Sequence, residues 1–309
     1  LLTYLIFLTF FLNGTQVNTL GGPSELNNSL FSLFLRENYA RKYMHEYMRL
    51  TNEIKIFSNL KLIASASYSR NMPLENNSDY SFWFRNKKEF SPNMPDNEFY
   101  KMKNHEDLYS QLSLSYTPVL YTTYYKNGEK HREKITEMPV FTISWRKAFP
   151  RDKSFTDYDL LRFEVLQQKS VGQSRFFNYK LNMGWFTQAR NIFFNEFYHF
   201  DVRSKTIQSN DFFPAFKIMD YYSHSTDKYF GEAHFQYVAP KLLIKHFSFL
   251  HRRAWREQIS VGYLYVPHYK NYSEVGYGIG NRIWNIGVFT AFKNFKYKNT
   301  GIGATLTIF

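Results

Sequence analysis

The chain has 309 residues, enough for one large domain or two ordinary ones, and 20% of them are aromatic although the mean hydropathy is only -0.47. It contains no cysteine, which excludes disulfides, thiol catalysis and thiolate metal sites. Its net charge of +13 is spread along the chain without a recognition-helix, zinc-finger or RNP-like motif. We therefore expect a basic surface or a basic rim beside an anionic membrane leaflet, and no nucleic-acid partner.

The first predicted element is the apolar run LLTYLIFLTFFL at residues 1–12. It is too short to cross a bilayer as a helix, which takes about 20 residues. No Met and no basic region precede it, as a signal peptide would require. We predict a strand in a chain that begins inside a longer protein; the remnant of a signal peptide is the alternative.

The next element, residues 28–50, departs from strand patterning because its apolar side chains approach helical spacing. Charged residues occupy the other side, and Asn28 is a candidate N-cap. This predicts one amphipathic helix near residues 29–50, inside a barrel or against its rim. A pair of strands joined by an irregular turn is the alternative.

The remaining chain shows repeated alternation of apolar and polar residues with period two, interrupted by turn-like breaks. In residues 141–146, for example, Phe141, Ile143 and Trp145 alternate with Thr, Ser and Arg. Aromatic residues favour pleated, half-buried surfaces, so this composition indicates strands. The alternating runs are residues 60–68, 111–117, 141–146, 177–185, 232–239, 258–265 and 274–280.

Long polar breaks at Asn71–Asn104 and Ser204–Lys228 contrast with tight ones such as Lys126–Lys130. Long loops on one side and short turns on the other are typical of outer-membrane barrels, as are aromatic girdles and strands of about 10 residues. We therefore predict an all-β fold: an antiparallel transmembrane β-barrel of about ten to twelve strands, forming one domain over residues 1–309. Its polar faces would line an aqueous interior, and the two long loops would form a recognition surface.

The chain ends on a strand-like segment, GIGATLTIF, whose last residue is aromatic. In outer-membrane barrels the last strand is read by the insertion machinery, and it also closes the sheet and removes its edges. We interpret Phe309, together with Ile308 and Leu306, as this insertion signal. Phe309 does, however, share the parity of Thr305 and Thr307 rather than that of Leu306 and Ile308.

An ordered set of motifs covers the chain from about residue 20 to its end. Its most extended member is MPLENNSDYSFWFRNKKEFSPNMPDN at Met72–Asn97. The other members are RENYARKY (Arg36–Tyr43), FKIMDYYSHSTDKYFGEAHFQYVAPKLL (Phe216–Leu243), WREQISVGYL (Trp255–Leu264) and YSEVGYGIGN (Tyr272–Asn281). In order and in spacing, this set resembles a family of Bacteroidota outer-membrane proteins that carries the provisional label DUF5686.

The resemblance implies that the chain is the C-terminal barrel portion of a longer protein. A carboxypeptidase-regulatory-like domain, and with it the first barrel strands, would then lie upstream of Leu1. A naturally shortened member of the family is the alternative. The resemblance names no activity.

Two groups of residues have the types that catalysis or metal binding requires. His224, Ser225 and Asp227 are the types of a hydrolase triad, but no nucleophile elbow or Gly-rich oxyanion loop lies near them. Glu196 and His199 have a ligand spacing on a helix, but the surrounding NIFFNEFYHF is typical of a strand, where they would point to opposite faces. We therefore expect no catalytic site, no metal site and no cofactor.

Acidic and histidine side chains on the late strands are instead predicted to face the interior. Glu232 and His234 would pair across strands with residues such as Lys180 or Arg162, and the late acids would offset the basic lumen. The predicted lumen polar cluster is Asp227, Glu232, His234, Glu257 and Glu274.

We expect a non-enzymatic protein of the bacterial outer membrane that acts in the binding, passage or assembly of envelope components. The expected partners are the lipid bilayer with lipopolysaccharide, the outer-membrane insertion machinery and other envelope proteins. A TonB-dependent-receptor-like transporter terminus and, further off, a barrel hydrolase are the alternatives.

Overall fold

A computed structural model describes residues 3–76, 79–84, 87–93, 102–204, 207–208, 213–246, 255–281 and 283–306, and the fold is almost entirely β. No helix within these ranges is long and apolar enough to cross a membrane. The strands are β1 Thr3–Gln16, β2 Lys42–Phe57, β3 Leu60–Pro73, β4 His105–Tyr116, β5 Leu120–Lys126, β6 Glu129–Ile135, β7 Val140–Ala148, β8 Asp157–Gly172, β9 Arg175–Asn191, β10 Ile207–Gln208, β11 Tyr229–Ala239, β12 Arg256–Val266, β13 Lys270–Gly280, β14 Trp284–Lys293 and β15 Lys296–Leu306.

Thirteen of these strands form one sheet in the order β1-β2-β3-β4-β7-β8-β9-β11-β12-β13-β14-β15-β10, and β5 and β6 form a separate hairpin. The twelve long strands of the sheet pair antiparallel with their neighbours, and only the two-residue β10 pairs in parallel, with β15. The predicted antiparallel meander of ten to twelve strands is confirmed. Within the described residues no hydrogen-bonded pairing joins β1 to β15, so the ladder is not closed.

The alternating sequence pattern corresponds to two distinct faces of the sheet. Leu112, Ile143 and Trp185 lie on the outer face with 45%, 51% and 59% of their surface exposed. Residues of the opposite parity point inward and are buried, such as Ser144 and Asn182. The predicted apolar face is therefore exposed, and the predicted polar face is turned inward.

The two ends of the sheet differ in their connections. At one end, which we call the loop end, residues 17–41, 74–104 and 192–228 connect consecutive long strands of the sheet. At the opposite end, the turn end, the tight connections are residues 58–59, 173–174 and 281–283. The turn end also carries the β5–β6 hairpin, whose side chains are almost all exposed. The predicted separation of long loops from short turns therefore holds only in part, because the short connections 267–269 and 294–295 lie at the loop end and the long connection 240–255 lies at the turn end.

The single α-helix of the described residues, α1, spans Glu25–Leu35 and is displaced from its predicted position. Ser24 is its N-cap, and Arg36 ends it in a left-handed conformation. Asn28 does not cap the helix: its Oδ1 accepts hydrogen bonds from the backbone N–H groups of Tyr39 and Ala40, at 2.9 Å each. The predicted helical residues 42–50 are instead in β2, because there they pair with β1 and β3 on both sides.

The described residues of the connection 192–228, which we call the inner segment, lie inside the curve of the sheet. Asn18, just after β1, donates a hydrogen bond to the carbonyl oxygen of Phe200 (2.7 Å), and Tyr158 of β8 donates one to Glu196 (3.0 Å). At the far side of the sheet, Lys298 of β15 lies 3.9 Å from Asp220. The sheet therefore wraps around this segment. The prediction of an external loop at Ser204–Lys228 was wrong, because the apolar side chains of the described part of that segment are buried against the strands.

The inner segment packs an apolar core against the inner faces of the strands. The ring of Phe230 stacks on that of Tyr198, with ring centroids 4.0 Å apart. Gly184 of β9 leaves room for this stack, because a Cβ there would lie 2.2 Å from the ring of Phe230. At this end the interior is packed, and the prediction of an aqueous lumen along the whole barrel was wrong. The buried core comprises Tyr109, Ala148, Tyr158, Phe186, Tyr198, Phe200, Val202, Phe216, Met219, Phe230, Leu264, Val266, Tyr272 and Ala291.

Candidate functional site

Several groups of acidic and histidine side chains lie in the described part of the interior. One of them, around Glu274, fixes the inner segment to β13. Glu274 accepts hydrogen bonds from three consecutive backbone N–H groups, those of Lys217 (2.6 Å), Ile218 and Met219 (2.9 Å each). The hydroxyl of Tyr272 donates a further hydrogen bond at 2.6 Å. Residues 272 and 274 both point inward because they share one parity of β13. A carboxylate that accepts hydrogen bonds from three consecutive backbone N–H groups clamps the chain that supplies them.

Glu232 of β11 is the centre of a second interior contact. Lys180 Nζ lies 3.3 Å from its carboxylate, Asn182 donates a hydrogen bond at 2.8 Å, and His234 Nε2 lies at 2.9 Å. The carboxylate is thus buried but paired, as a charge in an interior has to be. The predicted pairing of Glu232 and His234 with Lys180 is confirmed. Arg162, the other predicted partner, lies instead over the ring of Tyr198.

The remaining members of the predicted lumen cluster lie elsewhere. Glu257 has the outer parity of β12 and is buried beneath the chain at the turn end, where it accepts hydrogen bonds from the backbone N–H groups of Leu243 and Ile244 and from the hydroxyl of Tyr277. Asp227 lies in the loop before β11, and its Oδ1 is buried without a hydrogen-bond partner among the described residues. The five predicted residues therefore form separate contacts rather than one cluster.

The serines and histidines of the triad-like stretch form two separate pairs. Ser225 contacts His199 Nδ1 at 2.7 Å, and the other nitrogen of His199 contacts the carbonyl oxygen of Phe194 rather than a carboxylate. His224 contacts Ser223 at 2.7 Å. Burial lowers the pKa of His199 to about 4, and burial together with Lys298 and Lys293 lowers the pKa of His224 to about 3. Both imidazoles are therefore neutral near pH 7.

Another interior group lies at the loop end and was not predicted from the sequence. His105 and Asp107 point inward from the start of β4, and Glu196 approaches them from the inner segment, with ligand atoms of all three within 4.8 Å of one another. Asn71 donates hydrogen bonds to His105 Nε2 (3.1 Å) and to Asp107 (2.5 Å). The shared parity of residues 105 and 107 was the available signal, but the position of Glu196 depends on the fold of the inner segment.

The local structure around Glu196 also differs from the predicted strand. Residues Phe194–Glu196 form a short 3-10 helix, and Tyr198 makes only an isolated bridge to Thr226. His199 points to Ser225, so Glu196 and His199 do not form a ligand pair with each other. Glu196 belongs with His105 and Asp107 instead.

A cavity of about 180 Å³ borders this group, and its wall is mostly polar. Arg146 and Arg162 supply the positive charge on this wall, and Glu196 supplies negative charge. The cavity is lined by Val17, Asn18, Thr19, Leu20, Gln111, Ser144, Arg146, Leu160, Arg162, Asn195, Glu196, Phe197, Tyr198 and His199.

The residues predicted as an insertion signal are only partly described. Leu306 is the last residue of β15 and has 42% of its surface exposed. Ile308 and Phe309 lie outside the described residues, so their role stays a prediction.

Comparison with protein families identifies the chain. The family described as "Family of unknown function (DUF5686) C-terminal domain" matches residues 13–279, which is well over half of the sequence. The chain belongs to the DUF5686 family. The order of motifs from Arg36 to Asn281 lies almost wholly within the matched range, so the resemblance to the DUF5686 family read from the sequence is confirmed.

Among solved structures, this DUF5686 chain is similar to the crystal structure of BamA from Haemophilus ducreyi lacking POTRA domains 1-3. The TM-score is 0.45 at 9% sequence identity, and the match covers 86% of this chain and 55% of the other. The chain thus spans about half the length of that structure. No curated protein matches the DUF5686 chain.

Proposed function

We propose that this chain is the barrel domain of a bacterial outer-membrane protein with a non-enzymatic role in binding and assembling envelope components. The observation that carries the proposal is the exposed apolar outer face of the sheet, seen at positions such as Leu114, Ile259 and Val288. Soluble monomers rarely expose contiguous apolar patches of more than a few hundred Å². A transmembrane barrel exposes one because the outer parity of every strand contacts hydrocarbon.

The inner segment bears on the kind of role. It packs against the strands at the loop end. The hydrogen bonds to Glu274 and the stacking of Tyr198 on Phe230 hold it there. A barrel filled in this way favours binding at its surface over free diffusion through its interior. Passage of a substrate would first require the inner segment to move.

An exposed group of aromatic side chains at the loop end supplies a binding surface, which we call the aromatic cap. It consists of Tyr80, Phe82, Trp83 and Phe84, whose exposed fractions are 46%, 58%, 59% and 46%. The cap rests on α1 through Phe34, whose ring centroid lies 5.5 Å from that of Phe82. Exposed aromatic side chains are enriched at protein interfaces, which supports binding of another envelope component there.

The location and partners follow from the same proposal. Short turns of outer-membrane barrels face the periplasm and long loops face outside, so the loop end and its aromatic cap would lie at the cell surface. Lipopolysaccharide and the bilayer would surround the outer face, and the insertion machinery would place the barrel in the membrane. The preceding carboxypeptidase-regulatory-like domain and the Bacteroidota source remain predictions from the family resemblance.

The membrane assignment is tested by expressing the chain in a bacterium and fractionating its envelope. We expect the protein in the outer-membrane fraction, resistant to extraction by urea and soluble in detergent. In gel electrophoresis the unboiled sample should migrate faster than the boiled one, because a barrel stays folded in detergent until it is heated. Recovery in the soluble fraction, with identical migration of both samples, would refute the assignment.

The orientation is tested by single cysteines, since the chain has none of its own. Glu75→Cys lies in the loop-end connection, and Gly128→Cys lies at the tip of the β5–β6 hairpin of the turn end. A membrane-impermeant maleimide added to intact cells should label the first variant and not the second. The reverse pattern would overturn the proposed orientation.

A further inference from the structure

We propose that His105, Asp107 and Glu196 form a binding site for a divalent transition-metal ion that ties the inner segment to β4. One imidazole nitrogen and two carboxylates, with ligand atoms within 4.8 Å of one another, are a donor set that suits zinc, manganese or iron. This site is independent of the proposed membrane function. It also departs from our expectation from the sequence that the chain has no metal site.

The orientation of His105 is that of a metal ligand. Its Nδ1 lies 2.8 Å from the carbonyl oxygen of Lys103, so Nδ1 carries the proton, and the lone pair of Nε2 is the acceptor that Asn71 contacts at 3.1 Å and that an ion would take over. Ring stacking on Phe193, with centroids 4.2 Å apart, fixes the plane of the imidazole. Nε2 then faces Asp107 at 3.7 Å. A hydrogen bond from the remote nitrogen to a backbone carbonyl is the usual support of a histidine that binds a metal.

Both carboxylates are oriented by neighbours that are not metal ligands. Asp107 accepts hydrogen bonds from the hydroxyl of Thr156 and from Asn71, and Glu196 accepts one from the hydroxyl of Tyr158 at 3.0 Å.

The charge of the site also calls for a cation. Asp107 is 1% exposed, and among the described residues neither it nor Glu196 has a Lys or Arg nitrogen within 4.0 Å. Arg146, a basic residue of the neighbouring cavity, donates to Gln111 at 2.9 Å and lies over the ring of Tyr109. Asp107 is buried and Glu196 half-buried, and a divalent ion neutralises both carboxylates.

The ligand spacing is close to what an ion requires. Zinc lies about 2.0–2.2 Å from nitrogen and oxygen ligands, which places tetrahedral ligands roughly 3.3–3.6 Å apart. The 3.7 Å between His105 and Asp107 lies just above this range, and all the ligand atoms lie within 4.8 Å of one another, so a contraction of about 1 Å or less completes the site. Glu196 is on a short 3-10 helix rather than in the sheet.

The test uses the purified full chain in detergent, stripped with a chelator and then equilibrated with Zn²⁺ alone. We expect one tightly held Zn²⁺ per chain by elemental analysis and a higher melting temperature with Zn²⁺ than without. Asp107→Asn and Glu196→Gln should each abolish stoichiometric binding and the shift in melting temperature. Thr156→Val, which removes only a supporting hydrogen bond, should weaken binding about 10–100-fold.

His131→Ala is the matched control, because this histidine lies on the separate β5–β6 hairpin of the turn end, beyond the opposite end of β4 from the site, and its loss should leave Zn²⁺ binding unchanged. A variant that fails to fold is identified by slow migration of its unboiled sample in gel electrophoresis. The Zn²⁺ content and melting temperature of the wild-type chain test the proposal even if a variant does not fold. A wild-type chain that retains no Zn²⁺ would overturn the proposal. A folded Asp107→Asn variant that binds Zn²⁺ like the wild type would also overturn it. A third contrary result is a wild type whose melting temperature does not respond to Zn²⁺ together with an Asp107→Asn variant of higher melting temperature, since the two carboxylates would then share a proton instead of an ion.

Discussion

At the scale of single residues, the ion pair between Glu232 and Lys180 is the most sensitive interior contact. Its two side chains are 1% and 12% exposed, so removing one charge leaves the other buried without its partner. We expect Glu232→Gln to lower the free energy of unfolding in detergent by about 3–5 kcal/mol. Denaturant titration followed by tryptophan fluorescence measures this change.

The matched control is the pair formed by Lys61 and Glu53, 2.8 Å apart but with 39% and 20% of the side chains exposed. Glu53→Gln should change the free energy of unfolding by less than about 1 kcal/mol, because water screens that pair. A second variant, Glu232→Gln with Lys180→Met, should recover much of the loss. Equal effects of Glu232→Gln and Glu53→Gln would contradict the burial of the interior pair.

The stability of the inner segment should depend on pH through His199. Its pKa is lowered by burial from 6.5 to about 4, so the unfolded chain binds a proton more readily than the folded one. Stability is then complete above pH 6.5 and is lost as the pH falls from 6.5 towards 4, by up to about 3 kcal/mol.

Denaturant titrations at a series of pH values test this, with His199→Asn as the comparison. The variant should lose only part of the acid sensitivity, because His224, whose pKa is lowered to about 3, also takes up a proton on unfolding. Identical pH profiles of the wild type and His199→Asn would show that His199 does not titrate in the unfolding transition.

Single interior contacts were predictable from the sequence only where they follow from parity along a strand. Glu232 and His234 are two residues apart in an alternating run, and their inward direction follows from that spacing alone. Glu257 also sits in such a run, yet the loop that folds over it determines its burial. The approach of Glu196 to Asp107 depends on contacts between distant parts of the chain, which no local pattern encodes.

At the scale of elements, Glu274 and Glu257 provide a matched pair of tests. Each carboxylate accepts backbone N–H groups of a neighbouring segment, residues 217–219 for Glu274 and residues 243–244 for Glu257. Replacing either with glutamine removes the charge that strengthens these hydrogen bonds. Glu274→Gln should therefore speed hydrogen exchange at residues 217–219, and Glu257→Gln at residues 243–244.

Hydrogen exchange measured by mass spectrometry on peptides from the two segments distinguishes the variants. Each should affect its own segment by about tenfold or more, corresponding to a loss of at least 1.4 kcal/mol, and leave the other unchanged. Faster exchange of both segments in either variant would show that the contacts support the whole sheet rather than one segment each.

The elements themselves were predictable to different degrees. Alternation of period two identified the strands because it reports which side chains share a face, whatever the strands pair with. The helix was predicted too far along the chain, since the pairing of β2 with β1 and β3 outweighs the helical spacing of residues 42–50. The inner segment is rich in aromatic residues, and their burial arises from the sheet that surrounds them.

At the scale of the whole molecule, neighbouring residues on β4 should respond in opposite ways to a charge. Leu112 is on the outer face with 45% of its surface exposed, and Ser113 points inward. Leu112→Lys places an ammonium group in hydrocarbon, at a cost of about 2–4 kcal/mol near the bilayer centre. Ser113→Lys places it in the polar part of the interior.

Yield of heat-modifiable protein in the outer-membrane fraction measures both variants. We expect Leu112→Lys to reduce this yield and Ser113→Lys to leave it near that of the wild type. The opposite order would mean that the apolar face is turned towards the interior in the membrane.

The direct measurement of which face contacts lipid is a nitroxide scan along β4, with one cysteine at a time at positions 112 to 116 of a chain that has no other. In lipid bilayers, collision with oxygen reports exposure to hydrocarbon, and collision with a water-soluble nickel chelate reports exposure to water. We predict that accessibility to oxygen is high at positions 112, 114 and 116 and low at positions 113 and 115. Accessibility to the nickel chelate should have no maximum at the even positions. An accessibility without this alternation, or with its maxima for oxygen at 113 and 115, would contradict the outward orientation of the apolar face on which the account depends.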